Sequence, residues 1–68
     1  MIIKWTNKYS GETGFVRSVN KKEKHFDNTF DIAEARKYAS VSSANSVIKL
    51  LVSFGEADNN DFEVIAGW

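Results

Sequence analysis

Between residues 41 and 54 apolar side chains recur every three or four positions, at Val41, Ala44, Val47, Ile48, Leu51 and Phe54. Ser42, Ser43, Asn45, Ser46, Lys49 and Ser53 take most of the remaining places. That interval puts the apolar set on one side of a helical spiral and predicts a helix over 41–54. Ser40 is placed to accept a hydrogen bond from an unpaired amide of the first turn, and Gly55 can adopt the left-handed conformation that closes the last. Serine is only a middling helix former, so burial of the apolar stripe must hold this helix.

Elsewhere the apolar period shortens to two. Residues 2–6 are branched or aromatic, with Ile3 and Trp5 on one face, and they read as a first strand. A loop containing Gly11 and Gly14 leads to a second strand over 14–19, and the polar run 20–24 suits a tight exposed turn into a third over 25–30. In that third strand Phe26 and Phe30 are expected to point inward together. Asp31, answered by Glu34 three positions on, resembles a capping box opening one short helical turn through Lys37, with Ala35 and Tyr38 tucked under it. Residues 56–61 form an acidic turn, and 62–68 a last strand with Phe62, Val64 and Trp68 on one side.

These elements predict an α+β fold, with a three-stranded antiparallel meander and a returning C-terminal strand. The short helical turn and the main helix would pack on one face of it. The expected core is Ile3, Trp5, Phe15 or Val16, Val19, Phe26, Phe30, Tyr38, Ala44, Val47, Ile48, Leu51, Phe62 and Val64. With 68 residues, no proline and no low-complexity stretch, a single domain over 1–68 is expected. It would bury only about 60% of the surface its unfolded chain exposes.

Composition narrows the functional classes. Cysteine is absent, which removes disulfides and thiolate metal sites and points to a reducing cytoplasm. No apolar run is long enough to cross a membrane, and the first residues are too short and wrongly ordered for a signal peptide. Nine basic and nine acidic residues cancel, but unevenly. Residues 1–24 carry Lys4, Lys8, Arg17, Lys21, Lys22 and Lys24 against Glu12 and Glu23, while Glu56, Asp58, Asp61 and Glu63 stand without a base from residue 50 onward. Two arrangements are open: the segments lie on separate faces and make a dipole, or they lie side by side and neutralise each other.

Catalytic signatures are missing. His25, the sole histidine, has Lys24 and Asp27 as neighbours, which make neither a metal-ligand spacing nor a triad. The serines lack a nucleophile elbow, and those from Ser40 to Ser46 are accounted for by capping and a polar helix face. Residues 58–61 lack the spacing and central glycine of a calcium loop, and no lysine-serine pair follows Gly11 and Gly14 as a phosphate loop requires. No enzymatic activity, cofactor or metal is expected.

Two stretches resemble known families. Ile3-Lys4-Trp5-Thr6-Asn7 followed by Gly14-Phe15-Val16 is similar to the opening of cold-shock domains, with Thr6 where that family has a stacking phenylalanine. That resemblance implies single-stranded nucleic-acid binding, whereas the long central helix departs from the family's five-stranded barrel. Over about 31–66, the run Glu34-Ala35-Arg36-Lys37-Tyr38, then Ser40, Ala44 and the helix to Leu51, resembles short accessory proteins of phages and prophages. It implies a mobile-element protein that binds rather than catalyses.

The leading expectation is a small, non-enzymatic, cytoplasmic protein-binding module of phage type. It would inhibit a host enzyme or defence nuclease in the manner of an anti-CRISPR protein. Glu56, Asp58, Asp61 and Glu63 would imitate phosphates toward a basic partner surface, with Tyr9 and Trp68 as aromatic anchors. The alternative is a single-stranded nucleic-acid-binding domain using Lys4, Arg17, Lys21, Lys22 and Lys24, with Trp5, Phe15 and Phe26 stacking on bases. A third is a self-associating structural protein, as monomer or homodimer, pairing through exposed strand edges.

Overall fold

The computed structural model describes residues 1–67; Trp68, expected on the last strand and as an anchor, lies outside the described residues. The chain forms strands β1 (Ile2–Asn7), β2 (Thr13–Asn20) and β3 (His25–Thr29), helix α1 (Val41–Ser53) and strand β4 (Asn60–Ile65). Short 3-10 turns occupy Ile32–Glu34 and Glu56–Asp58. All strand pairs are antiparallel, in the order β3-β2-β1-β4, so the fold is α+β with one open sheet.

Register sorts the side chains. Trp5 stands opposite Phe62 and Gly14, and Ile3 opposite Val64, so these residues share the face that α1 covers. There Ile3, Trp5, Val16, Ala44 and Leu51 form the buried core, with Val19, Phe26, Tyr38, Val47, Ile48, Phe54, Phe62 and Val64 packed around it. Val16, not Phe15, is the inward member of its pair. Val16 and Val19 are three residues apart, an odd number that in a regular strand would put them on opposite faces. A register shift between Val16 and Ser18 restores both to the core. On the other face Lys4 stands opposite Glu63 and Phe15.

Local signals hold α1 in place. Ser40 Oγ accepts from the Ser43 amide at 3.1 Å. At the far end Gly55 takes a positive φ of 88° as the chain leaves the helix. Val41, the first residue of the helix, departs from the expected stripe, being 46% exposed.

Four expectations are corrected. Phe30 is 64% exposed, because β3 ends at Thr29 and the chain turns away before the alternation can carry Phe30 inward. Its ring still meets Trp5 edge to face, with centroids 5.9 Å apart. The helical turn after Asp31 stops at Glu34, where Ala35 takes an extended backbone; the Asp31 carboxylate accepts from the Ala33 amide, but the Asp31 amide donates to Thr29 Oγ1 at 3.1 Å and Glu34 lies near Arg17, so no reciprocal capping box forms. Beyond it the backbone is extended, with the Arg36 amide donating to the Val16 carbonyl and the Tyr38 amide to the Met1 carbonyl. The last strand starts at Asn60 and ends at Ile65 because β1 offers it partners from Asn7 back to Ile2. Finally, Ile2 is fully buried although it faces away from α1, because Gly67 packs against its side chain.

Candidate protein-binding site

The loop between β1 and β2 is tied down by its own backbone. Asn7 Oδ1 accepts from the Tyr9 and Ser10 amides at 2.9 and 3.0 Å, the Gly11 amide donates to the Asn7 carbonyl at 3.0 Å, and Gly11 itself has φ 74°. This Asx geometry pushes Tyr9 outward, leaving it 81% exposed. Lys8 then ties the loop to the acidic segment. Its amide donates to the Asn59 carbonyl at 2.8 Å, and its Nζ donates to the Ala57 carbonyl at 2.7 Å and stands 3.8 Å from Asp61. Asn60 Nδ2 donates to the Glu56 carbonyl at 3.2 Å, fixing the start of the 3-10 turn from the other side.

Tyr9, Glu56, Asp58 and Asp61, named as candidates far apart in sequence, are therefore gathered at one end of the sheet. Glu63 is not among them: it lies on the face away from α1, 3.9 Å from Lys4. The two charge blocks thus meet only in part: Lys4 and Lys8 stand against Glu63 and Asp61 where β1 runs beside β4, whereas Lys21, Lys22 and Lys24 lie in the turn between β2 and β3. Exposed pairs of this kind contribute only about 0–1 kcal/mol each, but they blunt the field of Asp61 and Glu63. Glu12, Glu56 and Asp58 have no ion-pair partner among the described residues. They give this end its surplus of negative charge.

A groove of about 680 Å³ continues from this end along β3. Carboxylates of Glu12, Asp27 and Glu56 and amides of Asn7, Asn28 and Asn60 line it, together with Arg17 and His25. Such a lining suits charged and hydrogen-bonding groups of a partner chain more than an apolar molecule. Glu12 and the three asparagines were not legible as a set in the sequence, because they sit on separate elements that only the sheet brings together. The Asn7 side chain next to an exposed Tyr9 was the one local hint.

The basic candidates are scattered. Lys21, Lys22 and Lys24 form the turn from β2 to β3 at the opposite end, where Asn20 pairs with His25, the Asn20 side chain accepts from the Glu23 amide and Lys24 takes a left-handed φ of 57°. Lys4 and Arg17 are engaged with Glu63 and Glu34. Of the aromatic candidates, Trp5 is 4% exposed and Phe26 packs edge to face on Phe62, while Phe15 stands on the face away from both. Their rings do not make one stacking platform.

His25 is exposed, and no cluster of three metal-ligating side chains exists among the described residues. Among the described residues no helix is long and apolar enough to cross a membrane. Protein-family models, curated proteins and solved structures were compared with the chain, and none matches it.

Proposed function

We propose that this chain is a non-enzymatic protein-binding module whose acidic end docks on a basic surface of another protein. The observation that supports it most directly is Tyr9, a large ring held 81% exposed beside Glu56, Asp58 and Asp61 by the backbone and side-chain bonds of Lys8. An immobilised loop presents such a ring at little entropic cost, and tyrosines of this kind dominate binding energy at interfaces. The unpaired carboxylates steer a basic partner and fix its orientation. A phage or mobile-element origin, with inhibition of a host enzyme or nuclease, rests on the sequence resemblance over 31–66.

Affinity capture from lysate, with mass spectrometry, identifies the partner. Tyr9→Ala and the pair Glu56→Lys with Asp58→Lys should each reduce its capture at least tenfold while circular dichroism stays unchanged. Full retention by both folded variants rejects this surface.

Single-stranded nucleic-acid binding has one separate support, the exposed cluster Lys21, Lys22 and Lys24. Tryptophan fluorescence titrated with oligonucleotides at low salt tests it, and an absence of salt-dependent affinity removes it.

A further inference from the structure

The sheet has two edges, and only one of them is a regular template. The ladder of β3 carries the register shift between Val16 and Ser18, an irregularity of the kind that turns an edge away from further pairing. Strand β4 runs beside β1 without a break, from Asn60 opposite Asn7 to Ile65 opposite Ile2. No strand lies on its other side, and no backbone group among the described residues bonds to it there.

The phase of the ladder fixes what that edge offers. The Lys8 amide donates to the Asn59 carbonyl, so the pairs that exchange hydrogen bonds fall at every second step from there: Thr6 with Asp61, Lys4 with Glu63 and Ile2 with Ile65. The Asn7 amide donates to the Glu12 carbonyl, which is the complementary phase, with the odd residues of β1 bonding toward β2. The N–H and C=O groups of Phe62 and Val64 therefore point outward, away from β1. Their side chains pack on the core under α1, while those of Asp61 and Glu63 stand on the opposite face, 74% and 62% exposed. Each of these carboxylates has a lysine on its β1 side, 3.8 or 3.9 Å away, and no basic partner on its outer side among the described residues.

We infer that β4 takes up an extended basic segment of another protein as a fifth strand. Lysines or arginines of that segment stand opposite Asp61 and Glu63, and the residues between them exchange backbone hydrogen bonds with Phe62 and Val64. Charge selects this occupant. A second copy pairing β4 with β4 about a two-fold axis at Phe62 or Glu63 sets carboxylate against carboxylate, and like charges directly opposite destabilise a ladder. A basic strand instead continues the alternation of lysine and carboxylate across the sheet. The inference rests on the reading of the chain as a protein-binding module, and it gives the partner's contacting segment its form.

Amide hydrogen exchange, read residue by residue by NMR, tests it with a short synthetic peptide that alternates lysine with threonine and valine. In the free protein the Phe62 and Val64 amides should exchange at least about tenfold faster than that of Glu63, and saturating peptide should slow both at least about tenfold. A second peptide, with proline at the positions between the lysines, keeps every charge but loses the donors, and should bind at least about tenfold more weakly. Asp61→Asn with Glu63→Gln should weaken the first peptide several-fold. Equal binding of the two peptides, no slowing at Phe62 and Val64, or slowing when the protein alone is concentrated each overturns the strand addition. Loss of lysate capture by Tyr9→Ala without slowing at Phe62 and Val64 rejects the fifth strand and keeps the acidic end. Slowing by the peptide, with capture undiminished in Tyr9→Ala, supports the fifth strand and rejects the Tyr9 anchor.

Discussion

The rings of Phe26 and Phe62 meet edge to face with centroids 5.5 Å apart, although Phe26 lies on β3 and Phe62 on β4, the two outer strands of the sheet. In a flat sheet three strand spacings would hold them roughly 14 Å apart. The contact exists because the sheet twists and curls toward α1, and the irregularity between Val16 and Ser18 adds to the curl. Phe26→Ala and Phe62→Ala should each cost about 2 kcal/mol, less than fully buried phenylalanines because both rings are partly exposed. A double-mutant cycle by urea unfolding should give a coupling of about 0.5–1.5 kcal/mol. Additive effects would mean that the two edges do not support each other.

Gly14 is needed for what lies above it, not for its backbone angles. A Cβ there would come within 2.6 Å of Trp5 Cζ2 and 2.9 Å of the Thr29 carbonyl oxygen. Alanine in a strand normally gains over glycine, yet Gly14→Ala should destabilise by about 2 kcal/mol or more, because a buried indole and a backbone atom must both give way. Gly11→Ala, at φ 74° in open space, should cost about 1 kcal/mol from left-handed strain alone. Chemical denaturation of the two variants checks the order.

The elements read from periodicity, α1 above all, were legible because each carries its own start, stop and apolar interval within a few residues. Ser40, Leu51 and Gly55 do in the structure what their chemistry suggests in the sequence. What resisted reading depends on partners distant in the chain. Ile2 is buried by Gly67, 65 positions later, and strand alternation alone assigns it to solvent. Phe30 looked inward because its period continued, but the strand ended one residue earlier. The acidic end was half legible: its carboxylates stood out by charge, whereas Tyr9 joins them only through Lys8, whose bonds to Ala57 and Asn59 span about fifty residues.

Helix α1 is serine-rich and begins without an acidic residue in its first turn, so its cap carries much of its local stability. Ser40→Ala removes the acceptor for the Ser43 amide and should cost about 1 kcal/mol. Ser40→Asp keeps the acceptor and adds a charge favourable to the helix N-terminus, so its unfolding temperature should equal or exceed that of the parent. A lower value for Ser40→Asp than for Ser40→Ala would contradict the capping role.

Tyr38 adds a pH dependence with a definite sign. Its phenol is held above the ordinary tyrosine value mainly by burial, partly offset by Arg36, so above about pH 10 the unfolded chain loses this proton while the folded one retains it. Binding fewer protons when unfolded means that stability falls with rising pH across that window, from the ordinary value up to the folded one, and is fully present below it. Tyr38→Phe has no proton to lose and also removes the buried unpartnered hydroxyl, whose desolvation costs about 1–3 kcal/mol. The variant should therefore be at least as stable as the parent near neutral pH and lose less stability between about pH 9 and pH 11. Lysine titration affects both proteins alike, so the difference between their urea midpoints isolates Tyr38. Parallel pH profiles for the two would place the hydroxyl in contact with water rather than in the protein interior.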